Sequence, residues 1–236
     1  MTETSIDTAD ITGKTLKSVE AWQTGHFILT SGKHSSEYMQ CQKVMQYPRL
    51  GNLLADLLIE KVESAGLKPE TVVGPALGAI HWELYVAQAL ERHLCKDNKK
   101  ACDTTSSAEQ LQHLADHGAE IRADKSLVKA VFAEKIPEDP GFAIRRGIEL
   151  KPGEKVLVVE DVTTTGGSAR KVVEMLKSME CDPVAVGAVV DRSGGKASFD
   201  VPFINLLALD LETYEPDACP LCDQGSVAIK PGSSIK

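Results

Sequence analysis

The stretch Lys155–Leu176, KVLVVEDVTTTGGSARKVVEML, sets two adjacent acids between an apolar run and a loop of hydroxyls and glycine. Val156–Val159 have the all-apolar character of a strand buried on both faces. In an open parallel sheet, ligands bind just beyond the C-terminal strand ends, which is where Glu160 and Asp161 fall. Ionised carboxylates accept hydrogen bonds and donate none. The pair therefore suits a ligand rich in hydroxyls, such as a sugar diol, or a metal bound to it. The next residues, Val162, Thr163, Thr164, Thr165, Gly166, Gly167 and Ser168, suit the opposite charge. Side-chain hydroxyls, glycines that let backbone N–H groups converge, and a helix N-terminus make a phosphate site. A ribose 5-phosphate meets both demands at once. The plainer reading is a tight strand-to-helix turn carrying two solvated acids. Neither a G-x-x-x-x-G-K-[ST] loop nor a G-x-G-x-x-G after a strand occurs.

The elements that must hold this site follow from periodicity and turn residues. A capped helix is predicted from near Lys14 to before Gly25. Short strands over HFIL and SEYMQC flank the turn TSGKHSS. In YPRLGNLLADLLIEKVESAG, Pro48 suits the first helical turn, and Leu50, Leu53, Leu54, Leu57, Leu58 and Val62 share a face. TVVG reads as a strand running into the loop GPALGAI, with helix from Ala79 to Leu94. Cys95–Lys125 is polar and reads as a peripheral insertion with at most one short helix. LVKAVFAEK, FAIRRGIEL, KVLVVE, PVAVGAVVDR and FINLLAL read as strands, and GSARKVVEMLKSM as a helix. Strands alternating with helices, several of them wholly apolar, predict a parallel sheet covered on both faces.

Composition narrows the function. The 236 residues are 42% hydrophobic, enough for a normal core. A net charge of -8 disfavours non-specific binding to nucleic acid or an anionic membrane. No apolar run approaches the ~20 residues of a membrane span, and the acidic N-terminus MTETSIDTADITGK resembles no targeting peptide. A cytoplasmic protein with reduced thiols is expected. Cys219 and Cys222 form the only close C-x-x-C pair among the six cysteines. One pair without a second is a weak zinc signal, since a structural site takes four ligands. His93, Cys95, Cys102, His113 and His117 fit no ligand spacing.

VLVVEDVTTTGGS resembles the phosphoribosylpyrophosphate-binding motif of type I phosphoribosyltransferases. GHFILTSGKHSSEYMQC, VVGPALGAI, and FAEK with the later RRG resemble orotate phosphoribosyltransferases. They are most similar to a bacterial subgroup ending in a CPLC…KPGS tail, here CPLCDQGSVAIKPGSS. The resemblance implies an α/β fold with a mostly parallel twisted sheet flanked by helices. It implies one domain over residues 1–236, with a small hood from about 1–45 and 212–236. It implies Mg²⁺-dependent transfer of 5-phosphoribosyl from phosphoribosylpyrophosphate to orotate, giving orotidine 5-phosphate and pyrophosphate in pyrimidine synthesis, by a homodimer. Glu160 and Asp161 would contact ribose hydroxyls, Thr163–Ser168 the 5-phosphate, with Thr164 also near the base. Gly74, Pro75, Ala76, Leu77 and Gly78 would lie in the pyrophosphate loop. Lys135 would match a lysine that reaches pyrophosphate from a mobile loop, often across a dimer, and Arg192 the arginine that pairs with the orotate carboxylate. Mg²⁺ would be held mainly by substrate, with no protein ligand assigned.

The chain departs from the commoner orotate enzymes at several positions. Thr30 and Gly78 stand where those have lysines, and Glu134 and Pro140 where an arginine and a histidine are expected. Lys33, Arg145 and Arg146 are candidates for the missing charge, or else solvated surface bases. His26, His34 and His81 border binding loops but read as packing or hydrogen-bond donors. Trp82 reads as core, Tyr38 as core or rim, and the KPGS tail as a lid or a free end. Two alternatives remain: a salvage enzyme for another base, and a non-catalytic phosphoribosylpyrophosphate sensor.

Overall fold

The computed structural model describes residues 7–29, 31–97, 107–116, 127–137 and 141–231. A six-stranded sheet has the order β5-β4-β3-β6-β7-β8. Its strands are β3 (Thr71–Pro75), β4 (Lys129–Lys135), β5 (Phe142–Ala143), β6 (Lys155–Thr163), β7 (Asp182–Asp191) and β8 (Phe203–Ala208). All neighbours are parallel except β4 and β5. The apolar runs of the sequence are the central strands: Val156–Val159 are fully buried.

Each face of the sheet carries its own apolar layer. Three long helices contribute to the first, α1 (Thr8–Ser18), α3 (Pro48–Ser64) and α4 (Ile80–Asp97), together with Val44 and Met45. Between α1 and α3 lies the single turn α2 (Gln42–Met45). The other layer belongs to α6 (Gly167–Ser178), with Phe142 and Phe199. Pro48 opens α3 as predicted, but Leu53 is 54% exposed, while Leu54, Ala55, Leu58, Ile59 and Val62 face the core. Within the polar insertion the described part is α5 (Ser107–Asp116).

Three boundaries differ from the sequence reading, each for a local reason. Helix α1 starts at Thr8, six residues before the predicted start near Lys14, because the Asp7 side chain accepts from Ala9 N and Asp10 N. It ends at Ser18, so that Trp22–Ile28 is free to form β1, which pairs antiparallel with β2 (His34–Met39). FAIRRGIEL is strand only at Phe142 and Ala143, since Arg146 and Gly147 take positive φ and turn the chain. No described helix is long and apolar enough to cross a membrane.

The C-terminal segment pairs with the β1–β2 hairpin on both sides. Ile28 N donates to Ile229 O and Ile229 N to His26 O, while His34 and Tyr214 exchange both backbone hydrogen bonds. Within that segment lies α7 (Pro220–Asp223), which buries none of its residues.

The α3–α4 contact offers a test of the core. A Cβ on Gly51 would come 2.4 Å from the Tyr85 ring, whose hydroxyl donates to Met45 O. Gly51→Ala is expected to lower stability by about 1–3 kcal/mol, read as a lower urea midpoint with an unchanged denaturant slope.

Candidate active site

The residues singled out in the sequence meet along one edge of the sheet, at the C-terminal ends of β3, β4, β6 and β7. Strand register fixes this: Pro75 lies opposite Ala133, and Thr163 opposite Asp191. Strand β6 runs to Thr163, three residues beyond the predicted end, so Glu160 and Asp161 belong to the strand itself. The backbone of Arg192 N donates to Thr163 O, which ties the end of β7 to the end of β6. Loop 76–79 crosses from β3 to α4 in front of the acids. A Cβ on Gly78 would stand 3.4 Å from Asp161 Oδ1, so a lysine there would lie against that carboxylate.

Burial dominates the electrostatics. Removal from water pushes Glu160 up to about 8, and the neighbouring Asp161 charge adds to the rise. The nearby Lys135 ammonium opposes it, which puts that lysine within electrostatic reach of Glu160 in the same chain. Burial also raises Asp161, against a hydrogen bond that its Oδ1 accepts from Val162 N. Two carboxylates held this way bind a proton, a cation or a set of hydroxyl donors more readily than water would allow.

Beyond the acids, Gly166 adopts φ 73°, and a Cβ there would meet the Phe199 ring at 2.8 Å. Only glycine turns the chain at that point and keeps the aromatic in place. Helix α6 has no side-chain cap, so its first amides face the loop formed by Thr164, Thr165 and Gly166. Thr163 Oγ1 is buried with no hydrogen-bond partner, and so is Arg192 Nε. Burial lowers the Arg192 guanidinium from its ordinary value, partly offset by Glu37, Cys41 and Tyr38. Those three residues place the arginine beside the hairpin. Arg192 N donates to Thr163 O, so these two unpartnered groups belong to neighbouring strand ends, where a ligand carrying oxygen acceptors would satisfy them.

Other predicted candidates lie elsewhere or do other things. Lys33 pairs with Glu215 at 2.8 Å and Arg146 with Glu134 at 2.8 Å, so neither supplies a free charge to the acids. Arg145 is exposed. Thr30 and Pro140 lie outside the described residues. Trp82 is fully buried, as read from its place in the sequence, and Tyr38 stacks at a tilt on Phe27. Ala76, Leu77, Ile80, Phe132, Glu134, Lys135 and Arg146 line a cavity of about 470 Å³ beside the loop.

Sequence reasoning missed the residues that hold the loop. Glu83 is buried in the first turn of α4 and accepts from Gly74 N; burial pushes it up to about 8. A Cβ on Gly74 would come 2.8 Å from that carboxylate. A lone acid inside the apolar run IHWELYVAQAL was the available signal. Gln42 Nε2 donates to Gly78 O, and nothing in its surroundings in the sequence points there. Cys41 is buried beside Asp161, and burial drives its thiol well above the ordinary value.

Comparison with known proteins shows the family. Residues 42–210 match the phosphoribosyl transferase domain family. The chain is 40% identical to an orotate phosphoribosyltransferase of Thermotoga maritima, over 92% of this chain and 95% of that protein. It is 41% identical to one of Desulforamulus reducens, over 90% of this chain and 91% of that protein. The solved structure of a Mycobacterium tuberculosis orotate phosphoribosyltransferase is similar with a TM-score of 0.55 and 22% identity, covering 86% of this chain and 97% of that one. At that identity the likeness shows the fold alone.

The buried acids give a pH-dependent test. Glu160 has a folded value above its unfolded one, so its stabilising contribution is complete below about pH 4.5 and is lost as pH rises through about 8. Glu160→Gln is expected to raise the thermal midpoint of the ligand-free protein near pH 9 by on the order of 2–6 °C, with no gain near pH 4. Scanning fluorimetry across that range checks both sign and window.

Proposed function

Because this chain belongs to the phosphoribosyl transferase family, we infer that it is an orotate phosphoribosyltransferase of pyrimidine biosynthesis, a glycosyltransferase that joins a phosphoribosyl group to orotate. The observation that carries this reading is the acid pair Glu160–Asp161 at the end of β6, with the unpartnered Thr163 Oγ1 and Arg192 Nε at the adjoining ends of β6 and β7. The amides and hydroxyls of Thr163–Ser168 receive the 5-phosphate. Glu160 and Asp161 accept from the ribose hydroxyls. The pyrophosphate lies on the backbone of Gly74–Gly78, within reach of Lys135.

In the reaction the bond from the anomeric carbon to pyrophosphate oxygen breaks and a bond to N1 of orotate forms, with loss of the N1 proton. Positive charge grows on the sugar as negative charge grows on the leaving group. Once hydroxyl donors and a cation offset their burial, the acids can ionise beside the first, and Lys135 with the loop amides stands beside the second. No covalent nucleophile is required. Mg²⁺ suits the oxygen donors gathered here, the carboxylates and the substrate's own phosphates, and when bound it neutralises the departing charge. Binding a cationic or hydroxyl-rich partner also releases the acids from the cost of their burial, so the energy stored in the empty site favours the loaded one.

Arg192 sets the base. A guanidinium forks onto a carboxylate in bidentate fashion, and of the common bases only orotate carries one. The hairpin wall of Glu37 and Tyr38 acts with the C-terminal segment as a hood over that base. A homodimer and a cytoplasmic location accompany this reading on the family resemblance.

The test is an assay of purified protein with orotate, uracil, hypoxanthine and adenine, each with phosphoribosylpyrophosphate and Mg²⁺. Turnover of orotate alone is expected. Arg192→Ala should cost about 2–5 kcal/mol in kcat/KM for orotate. Turnover of another base, unaffected by that substitution, would point to a salvage enzyme. Binding of the sugar without turnover of any base would point to a sensor.

A further inference from the structure

Four side chains outside the acid pair converge where the hairpin meets the C-terminal segment. His26 lies in a bulge of β1, where the register shifts between Thr24 and Phe27, and His34 opens β2. Cys219 caps α7 and Cys222 lies within it. Their ligand atoms all fall within 4.8 Å of one another. His26 Nε2 is 3.0 Å from His34 Nδ1, 3.4 Å from Cys219 Sγ and 3.8 Å from Cys222 Sγ. Cys222 Sγ is 3.4 Å from His34 Nδ1. Cys219, His26 and His34 are 1%, 6% and 8% exposed.

We propose that His26, His34, Cys219 and Cys222 form a structural zinc site that fastens the C-terminal segment to the β1–β2 hairpin. Three observations carry it. First, four of the six ligand-to-ligand separations match a tetrahedron, and all six are within 4.8 Å. With Zn–N near 2.0–2.1 Å and Zn–S near 2.3 Å, ligand atoms stand roughly 3.3 Å apart for two nitrogens and roughly 3.6 Å for nitrogen and sulfur. The four separations above lie within about 0.4 Å of these values.

Second, protons alone leave the cluster unsatisfied. His26 Nδ1 lies 3.1 Å from Ser226 O, and a carbonyl only accepts, so Nδ1 carries the hydrogen and Nε2 presents a lone pair. Three groups then crowd that one lone pair: His34 Nδ1 and both sulfurs. A central cation accepts from all four atoms together. A backbone carbonyl fixing the tautomer of a ligand histidine is also the usual outer partner in zinc sites.

Third, the donor set selects the metal. Two thiolates and two neutral imidazoles exactly balance a divalent ion, so the buried unit is uncharged. Sulfur and imidazole without carboxylate suit zinc and exclude the hard cations Mg²⁺ and Ca²⁺. The position explains why such a device is present. A two-stranded hairpin is marginal by itself, α7 buries no residue, and Val227 and Ile229 are 83% and 58% exposed. Apolar burial is thin here, and metal binding supplies folding energy directly. The hairpin also carries Glu37 and Tyr38 beside Arg192, so the zinc site steadies a wall of the cleft.

The experiment uses the full chain, purified under reducing conditions without chelator. Mass spectrometry of the metal content should find about one zinc per chain, and about none in the C219S/C222S variant. Should that variant fold poorly, metal-stripped wild-type protein titrated with Co²⁺ provides the second reading. Tetrahedral visible bands with thiolate charge transfer are expected, displaced by Zn²⁺ at one equivalent. Chelation should also expose the C-terminal segment to limited proteolysis and leave the sheet resistant. Absence of zinc, an octahedral Co²⁺ spectrum, or a Cys219–Cys222 disulfide in the reduced protein would each overturn the proposal. None of these readouts depends on which base the enzyme uses.

Discussion

Two carboxylates at the end of a buried strand are the constraint around which the rest of the site is arranged. Glu160 and Asp161 sit side by side with burial working against the charge of both. A polypeptide keeps such a pair only if nearby elements admit a partner for it and exclude bulk water. Loop 76–79 lies in front, with Gly78 leaving space against Asp161. The turn at Gly166 aims the start of α6 at the same cleft, and Phe199 closes behind it. Lys135, at the end of β4, brings a positive charge within range of Glu160. On the proposed reading, function and instability share one origin: the substrate's hydroxyls and a cation would offset the burial of the acids.

The two parts of the molecule are stabilised by different physics. The sheet is covered on both faces by close-packed aliphatic side chains, so the proposed phosphate and ribose subsites rest on a well-packed base. The hairpin and C-terminal segment bury much less and rely on backbone pairing, the Lys33–Glu215 ion pair and the histidine–cysteine cluster. Arg192, the proposed base-recognising residue, borders this second part. On the proposed reading, affinity for the sugar phosphate is built into the sheet, while the fit to the base depends on how firmly the hairpin is held.

Much of this was legible in the residues themselves. The apolar runs marked the central strands because both faces are covered, and the acids and hydroxyls of 160–168 marked the cleft because strand, turn and helix are contiguous there. Local features misled where a single residue decides. Asp7 starts α1 earlier than the apolar pattern suggested, and the positive φ of Arg146 and Gly147 cuts β5 short. Leu53 fits the helical stripe of α3 yet points outward, since the stripe is narrower than the pattern allows. What the chain could not disclose locally is contact between distant residues. Glu83 reaches back to Gly74, and the C-x-x-C pair meets two histidines nearly two hundred residues earlier. The pair alone was a weak signal because half of its tetrahedron lies at the other end of the chain.

The central claim is that one cleft binds a sugar diol on its acids and a phosphate on the adjoining loop. A crystal structure of the protein with phosphoribosylpyrophosphate and Mg²⁺ tests it directly. The account predicts the 5-phosphate on the amides and hydroxyls of Thr163–Ser168 and the ribose hydroxyls within hydrogen-bonding distance of Glu160 and Asp161. A sugar phosphate bound elsewhere, with the acid pair still facing water, would contradict it.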